Sequence, residues 1–328
     1  MRFLLHLFLA LSLALSVTAH AADKDAIDIL QRMTEAAKNL NYEGVFAYQS
    51  GRNLQSIRIY HRADARGEVE RLISLNGAAR EVIRSNDMVT CINPDGKKVN
   101  VSRRPLGQGF PSDLPRRLNA ATPYYQVELG GTDRVAGRKA YELLITPVDD
   151  YRYGYRFWVD AETYLLLKSE LRAGNGNVLE TFAFSSLTTD IHIPEHKLKS
   201  QMSGEELTWH RTESETPVNM ASQRDMSSWQ AQWLPDGFAL VALQTRLRAS
   251  NGANIEQRVY SDGLSSVSVF IEKIRARHNH LRGGSRMGAI NAFGTIINSH
   301  FVTVVGEVPA VTVEKIGNGL VFANGEQP

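Results

Sequence analysis

Residues 45–75 read VFAYQSGRNLQSIRIYHRADARGEVERLISL, and this stretch favours a sheet of antiparallel strands. Three segments rich in β-branched or aromatic residues, 45–49, 56–62 and 69–75, are separated by the turn sequences GRN and ARG. Within the second segment, Ile57 and Ile59 alternate with Arg58 and Tyr60. That alternation is typical of an antiparallel sheet with one buried face.

A helix is expected before this stretch, and more strands are expected after it. Residues 25–40 place apolar side chains at spacings of three and four, which predicts a helix with one apolar stripe. That stripe consists of Ala26, Leu30, Met33, Ala37 and Leu40. Further strands are predicted at residues 82–92, 125–129, 140–146, 155–159, 164–172 and 178–185, with Asn-Gly turns at 76–77 and 175–176.

Two polar segments interrupt this pattern. Residues 102–118 (SRRPLGQGFPSDLPRRL) contain three prolines and two glycines, which predicts a long solvated loop. Residues 205–225 are polar and interrupted by Pro217, and they predict a linker between domains at 22–204 and 226–328. In the second domain, strands are expected at 238–247, 256–261, 267–273, 289–294 and 301–305, before a short helix with Pro309 in its first turn and Val311, Lys315 and Leu320 as members.

The first 21 residues have the features of a cleavable signal peptide. Arg2 gives a positive start, residues 3–17 are apolar, and Ala19 and Ala21 place small side chains before the expected cleavage point. The apolar stretch is shorter than the roughly twenty residues that span a bilayer. We therefore expect a mature chain that starts near Ala22 in a periplasm.

Composition and motifs argue against several functional classes. Without the signal, 36 basic residues face 35 acidic ones, and this balance argues against a nucleic-acid binder. The chain lacks a Gly-x-Ser-x-Gly elbow, a phosphate-binding glycine loop and an HExxH pair, so we expect no enzyme and no catalytic, cofactor-binding or metal-binding residue. The single cysteine, Cys91, is predicted to be buried in a strand.

Two features are candidates for a binding site. Aromatic side chains share strand faces, and they form either an ordinary core or an open groove for acyl chains or an extended segment. The lipid-groove candidates are Phe46, Tyr48, Phe157, Phe182 and Phe184. The candidates for contact with an anionic partner, if they are not simply solvated loops, are Arg103, Arg104, Arg116, Arg117, Arg275, Arg277 and Arg282.

The order of several longer motifs resembles the MucB/RseB family. In the first domain these are NLNYEGVFAYQSG (39–51), LQSIRIYHRAD (54–64) and residues 67–96. In the second they are WLPDGF from Trp233, YSDGLSSVSVFIE from Tyr260 and VVGEVPAVTVEKI from Val304. The resemblance runs in order across nearly all of the mature chain.

This resemblance implies both an architecture and a function. The α+β fold would have a large N-terminal domain, an unclosed antiparallel sheet (half-barrel) covered by helices and similar to LolA/LolB, and a smaller β-rich α+β C-terminal domain. The function would be negative regulation of an extracytoplasmic-function sigma factor, as in envelope stress and alginate control. The protein would bind the periplasmic domain of a MucA/RseA-like membrane-spanning anti-sigma factor, shield it from regulated proteolysis and be released by lipopolysaccharide or another lipid. A homodimer or higher homo-oligomer is implied as well.

A periplasmic lipoprotein or lipid carrier is the alternative function. Such a carrier would use the same groove for delivery instead of sensing. The second domain favours the regulator, because a carrier of the LolA type would not need it.

Overall fold

The computed structural model describes residues 18–86, 88–93, 98–103, 122–201, 208–211, 228–247, 254–274 and 282–322. In these ranges, twelve strands build one large sheet and six build a smaller one. The strands of the large sheet are β1 (Tyr42–Ser50), β2 (Asn53–Asp64), β3 (Gly67–Ser74), β4 (Glu81–Ser85), β5 (Met88–Asn93), β6 (Lys98–Arg103), β7 (Tyr125–Val135), β8 (Arg138–Pro147), β9 (Gly154–Asp160), β10 (Leu166–Arg172), β11 (Val178–Thr189) and β12 (Thr208–Arg211).

The large sheet is unclosed and curls around one helix. Its strand order is β12-β6-β5-β4-β3-β2-β1-β11-β10-β9-β8-β7, antiparallel except for the β12–β6 pair. Helix α1 (Thr18–Asn39) contacts both β2 and β7, which stand six places apart in that order. The sheet must therefore bend strongly, and α1 fills its concave face.

The apolar stripe of α1 and the inner face of the sheet form the first core. Ala26, Leu30 and Met33 are at most 1% exposed and pack in one cluster with Phe46 and Phe157. The described part of the helix starts at Thr18, so the expected cleavage point lies within this helix. A one-turn helix, α2 (Glu195–Leu198), contacts β2 and β3.

The smaller domain has its own sheet and its own core. Its strands are β13 (Trp229–Ala231), β14 (Ala239–Leu247), β15 (Asn254–Ser261), β16 (Ser266–Lys273), β17 (Gly283–Met287), β18 (Ile290–Ile297), β19 (His300–Gly306) and β20 (Leu320–Phe322). Six of them follow the order β14-β15-β16-β19-β18-β17, and β13 pairs with β20. Helix α3 (Ala310–Asn318) packs on β18 and β19 and closes a core around Val267, Val304 and Ile316.

The predicted architecture is thus confirmed: a large domain with an unclosed antiparallel sheet and a smaller β-rich domain. Three local predictions were wrong. Residues 82–92 form two strands, because Asn86 adopts a left-handed φ of 51° and turns the chain. Leu320 lies in β20, since α3 ends before Gly319. Cys91 lies in β5 as predicted, but it is half-buried instead of buried.

The predicted loop and the predicted linker lie mostly outside the described residues. The strand β6 extends over the first two residues of the 102–118 segment, and β12 forms within the 205–225 segment. None of the described helices combines the length and the apolarity that a bilayer-spanning segment needs.

Candidate functional site

A groove opens on the concave face of the large sheet, beside the part that α1 covers. Its volume is about 580 Å³, and its walls come from β1 to β4 and the loop between β3 and β4. Ile57, Leu72 and Val82 are apolar side chains that continue the core into the groove. Leu54 lies in its lining with 59% of its surface exposed. The groove therefore offers an apolar floor that is open to solvent.

Two arginines give the groove a cationic side. Arg80 is exposed in the lining, whereas Arg84 is half-buried and donates from Nη1 to Glu70 Oε1 at 2.8 Å. Because Glu70 balances Arg84, Arg80 carries most of the uncompensated charge among these three residues. An apolar floor beside an accessible guanidinium suits an amphiphile with an anionic head group.

The structure separates the lipid-groove candidates. Phe46, Phe157, Phe182 and Phe184 are at most 6% exposed and belong to the first core, whereas Tyr48 lines the groove. The four phenylalanines pack in one cluster with residues of α1, so they are core, and the open surface lies farther along β1 to β4. Those four phenylalanines are therefore not accessible to a lipid in this structure.

Most of the predicted arginines lie outside the described part of the chain. That holds for Arg104, Arg116, Arg117, Arg275 and Arg277. Arg103 ends β6, and Arg282 is exposed just before β17. Sequence reasoning missed Arg80 and Arg84. Arg84 could have been found from strand alternation, since it shares its sheet face with Val82, two residues before it on β4.

The two domains are joined by a buried arginine in the loop between β8 and β9. Arg152 donates from Nε to Asp262 Oδ2 at 2.6 Å, and neither side chain is exposed to solvent. Arg152 also binds the carboxylate of Asp149 and the backbone carbonyl of Asp236. Asp149 and Asp262 hold the pKa of Arg152 above its usual value against the opposing effect of burial. The guanidinium thus stays charged and links both domains.

Aromatic rings and a glycine complete this junction. The Arg152 guanidinium lies 5.0 Å from the ring centre of Tyr124 and 5.1 Å from that of Phe238. Gly237, in the WLPDGF motif, has a φ of 81°, and a Cβ there would lie 2.0 Å from Tyr124 Cζ. Only glycine allows this contact, so the motif is a docking element between the domains.

A cleft of about 730 Å³ lies beside the junction, and both domains line it. The first domain contributes the β8–β9 loop and the turn between β10 and β11. The second contributes β17, β18 and the start of α3. Asp150 and Glu314 add negative charge to the walls, and Arg286 adds one exposed positive charge.

Comparisons with known proteins match both domains. Family models for the MucB/RseB N-terminal domain and the MucB/RseB C-terminal domain match residues 25–202 and 223–321. The sigma factor AlgU regulatory protein MucB of Pseudomonas aeruginosa is 32% identical over 319 residues, which are 94% of this chain and 95% of that protein. The sigma-E factor regulatory protein RseB of Haemophilus influenzae is 28% identical over 312 residues, which cover 94% of this chain and 95% of that protein.

Solved structures give the same result. The complex of Pseudomonas aeruginosa MucA and MucB superposes with a TM-score of 0.71 at 30% identity, covering 92% of this chain and all of that one. A crystal structure of MucB gives a TM-score of 0.61 at 28% identity and covers 91% of this chain and 98% of that one. The chain therefore belongs to the MucB/RseB family.

Proposed function

We propose that the chain is a periplasmic regulator that binds the periplasmic segment of a membrane-spanning anti-sigma factor. The observation that carries this proposal is the cleft, whose walls come from both domains beside the buried Arg152–Asp262 pair. A site shared by two domains suits a partner that must be held and later released, since a change in the domain arrangement alters both walls. The similarity to MucB in its complex with MucA supports the same partner class.

An extended polypeptide fits the walls of the cleft. The cleft is lined in part by β17, which is the edge strand of the six-stranded sheet and, within the described residues, pairs only with β18. Open backbone of this kind can exchange hydrogen bonds with a second chain. Bound in this way, the anti-sigma segment would be covered on two sides, which would shield it from a protease.

Two neighbouring residues of α3 give a matched test of the cleft. Ala310 lines the cleft and is exposed, whereas Val311 is 47% exposed and lies outside the lining. Ala310→Trp should weaken binding of the anti-sigma segment by about tenfold or more, a loss of about 1.4 kcal/mol. Val311→Trp should leave the affinity unchanged. Equal affinity of both variants and the wild type in calorimetry would remove the cleft as the binding site.

The releasing ligand is proposed to be lipopolysaccharide or another anionic lipid bound in the groove. Its acyl chain would lie on Ile57, Leu72 and Val82, and its phosphate would face Arg80. Ala78→Trp would fill this groove, and Ala79→Trp, one residue farther and outside the lining, is the control. We expect only the first variant to lose binding of lysophosphatidylglycerol. Lysophosphatidylcholine should bind more weakly than the anionic lipid, and raised salt should reduce that difference.

Export, domain boundaries, assembly and the absence of enzymatic activity belong to the same proposal. Residues 1–21 would be removed, 22–204 and 226–328 would be the domains joined by the 205–225 linker, and the protein would form a homodimer or larger homo-oligomer. Intact-mass measurement of the periplasmic protein tests the first point, with Ala22 as the expected first residue.

A lipoprotein or lipid carrier stays the second candidate, because the same groove would serve it. A pull-down from envelope extract separates the two functions. Recovery of an inner-membrane anti-sigma factor supports the regulator, whereas recovery of a set of lipoproteins supports the carrier.

A further inference from the structure

Tyr48 stands where the groove meets the second domain. Its ring lines the groove, and its hydroxyl donates to Glu180 Oε2 at 2.6 Å. Burial first, and then the carboxylates of Glu180 and Glu307, raise the pKa of Tyr48 above its usual range. The phenol therefore stays protonated and remains a hydrogen-bond donor. Glu307 follows β19 in the second domain. The Tyr48 hydroxyl therefore experiences the negative charge of one carboxylate from each domain.

Glu180 also bonds the residue at the end of β1. Its second oxygen, Oε1, accepts a hydrogen bond from Ser50 Oγ at 2.7 Å. Glu180 pairs directly with Ser50 across the β1–β11 ladder, so the two hydroxyls and the carboxylate share one sheet face. A single carboxylate thus fixes both the groove wall and the last residue of β1.

Ser50 lies close to the turn between β17 and β18. A Cβ on Gly288 would lie 2.9 Å from Ser50 Oγ, and Gly288 has a φ of 62°. The next residue, Ala289, is fully buried and belongs to the core of the first domain. The hairpin tip of the second domain is therefore seated in the first domain, against the residue that Glu180 holds.

The same hairpin forms a wall of the cleft. Ser285 and Arg286 of β17 and Asn291 of β18 line it. Asn291 is buried and donates from Nδ2 to Tyr153 Oη at 2.9 Å and to the Val308 carbonyl at 2.7 Å. A movement of the hairpin tip at Gly288 would therefore displace the cleft wall, because Arg286 and Asn291 line the cleft and lie two and three residues away.

Resting on the lipid-responsive part of the proposed function, we propose that Tyr48, Glu180 and Ser50 form a relay from the groove to the cleft. An acyl chain that enters the groove competes for the space at the Tyr48 ring and removes its hydroxyl from Glu180. The Glu180 carboxylate is then fixed by one hydroxyl instead of two, so it positions Ser50 less tightly. The β17–β18 turn, which lies beside Ser50, becomes more mobile. The cleft wall then rearranges, and the affinity of the cleft for the anti-sigma segment falls. By linkage, a bound segment weakens lipid binding by the same factor.

Hydrogen exchange of the full mature chain tests the relay without the anti-sigma factor. The probe is lysophosphatidylglycerol below its micellar concentration, and the readout is the exchange rate of amides in residues 283–297. In the wild type, saturating lipid should speed exchange in this hairpin by about fivefold or more, the lower end of typical allosteric coupling. Tyr48→Phe keeps the ring and removes the hydroxyl. At a lipid concentration that saturates this variant, set from its own measured affinity, the hairpin should show no lipid response.

Two further variants keep the test decisive. Ser50→Ala should also abolish the response, because it breaks the relay on the other side of Glu180. Tyr141→Phe, a half-buried tyrosine of the same sheet outside the groove lining, should respond like the wild type. A normal response in both Tyr48→Phe and Ser50→Ala overturns the relay, and so does a wild-type hairpin that ignores bound lipid. If the lipid does not bind at all, the lipid-responsive part of the proposed function fails together with the relay.

Discussion

Replacing Arg152 by methionine is the most informative perturbation of the junction between the domains. Methionine keeps much of the volume and removes the charge, so Asp262 is left without its ion-pair partner at a site that solvent does not reach. Removal of one partner of a buried ion pair costs about 3–5 kcal/mol. Asp262 still accepts hydrogen bonds from the backbone N–H groups of Leu264 and Ser265, at 2.9 and 2.7 Å. We therefore expect a loss near the lower end, about 3 kcal/mol.

Urea unfolding followed by tryptophan fluorescence and circular dichroism measures this loss. Because Arg152 links the domains, its removal should also separate one cooperative transition into two. Arg152→Met combined with Asp262→Asn should lose less than Arg152→Met alone, since no uncompensated charge stays buried. Arg32→Met is the control: Arg32 pairs with Asp28 on the surface, where both side chains are 55% exposed, and no change is expected. A loss below about 1 kcal/mol in Arg152→Met, with one transition retained, would refute the interpretation of this pair as the link between the domains.

Three further predictions concern single residues. Gly237→Ala should lower stability by at least about 1 kcal/mol, because its Cβ meets Tyr124 at a left-handed backbone position, and an unchanged melting temperature would contradict that contact. Hydrogen bonds from Arg66 hold the pKa of Asp64 at about 2, below the usual 3.8, so its contribution to stability is present above pH 4 and is lost as the pH falls from 4 to 2. Asp64→Asn should therefore reduce the loss in the free energy of unfolding between pH 4 and pH 2. A loss equal to that of the wild type would contradict this. Cys91→Ser should cost less than about 1 kcal/mol, since Cys91 is half-buried; loss of an oligomer in that variant would reveal an intermolecular disulfide.

The sequence predicts the strands well where one face is buried. The alternation around Ile57 and Ile59 survives in the structure, with Ile59 1% exposed and Arg58 on the surface. The stripe on α1 is predicted for the same reason, because burial on one side imposes a fixed period. Asn86 was missed although its position between two polar residues is a turn signal, and its positive φ splits the expected strand.

The candidate site is less predictable because it depends on what α1 covers. Phe46 and Tyr48 look equivalent in the sequence, yet Phe46 is fully buried in the first core, whereas Tyr48 is half-buried and lines the groove. Arg152 and Asp262 are 110 positions apart and belong to different domains. No periodicity or local motif connects two such residues, so only the folded structure identifies the junction and the cleft beside it.

A calorimetric titration measures both whether the chain binds an anti-sigma segment and whether lipid releases it. The mature chain is titrated with the periplasmic segment of an anti-sigma factor from the same genome, with and without lysophosphatidylglycerol. We predict a dissociation constant in the micromolar range or tighter without lipid, and an affinity at least about fivefold weaker with it. Absence of binding at high micromolar concentration would contradict the regulator, and an affinity that lipid does not change would contradict release through the groove.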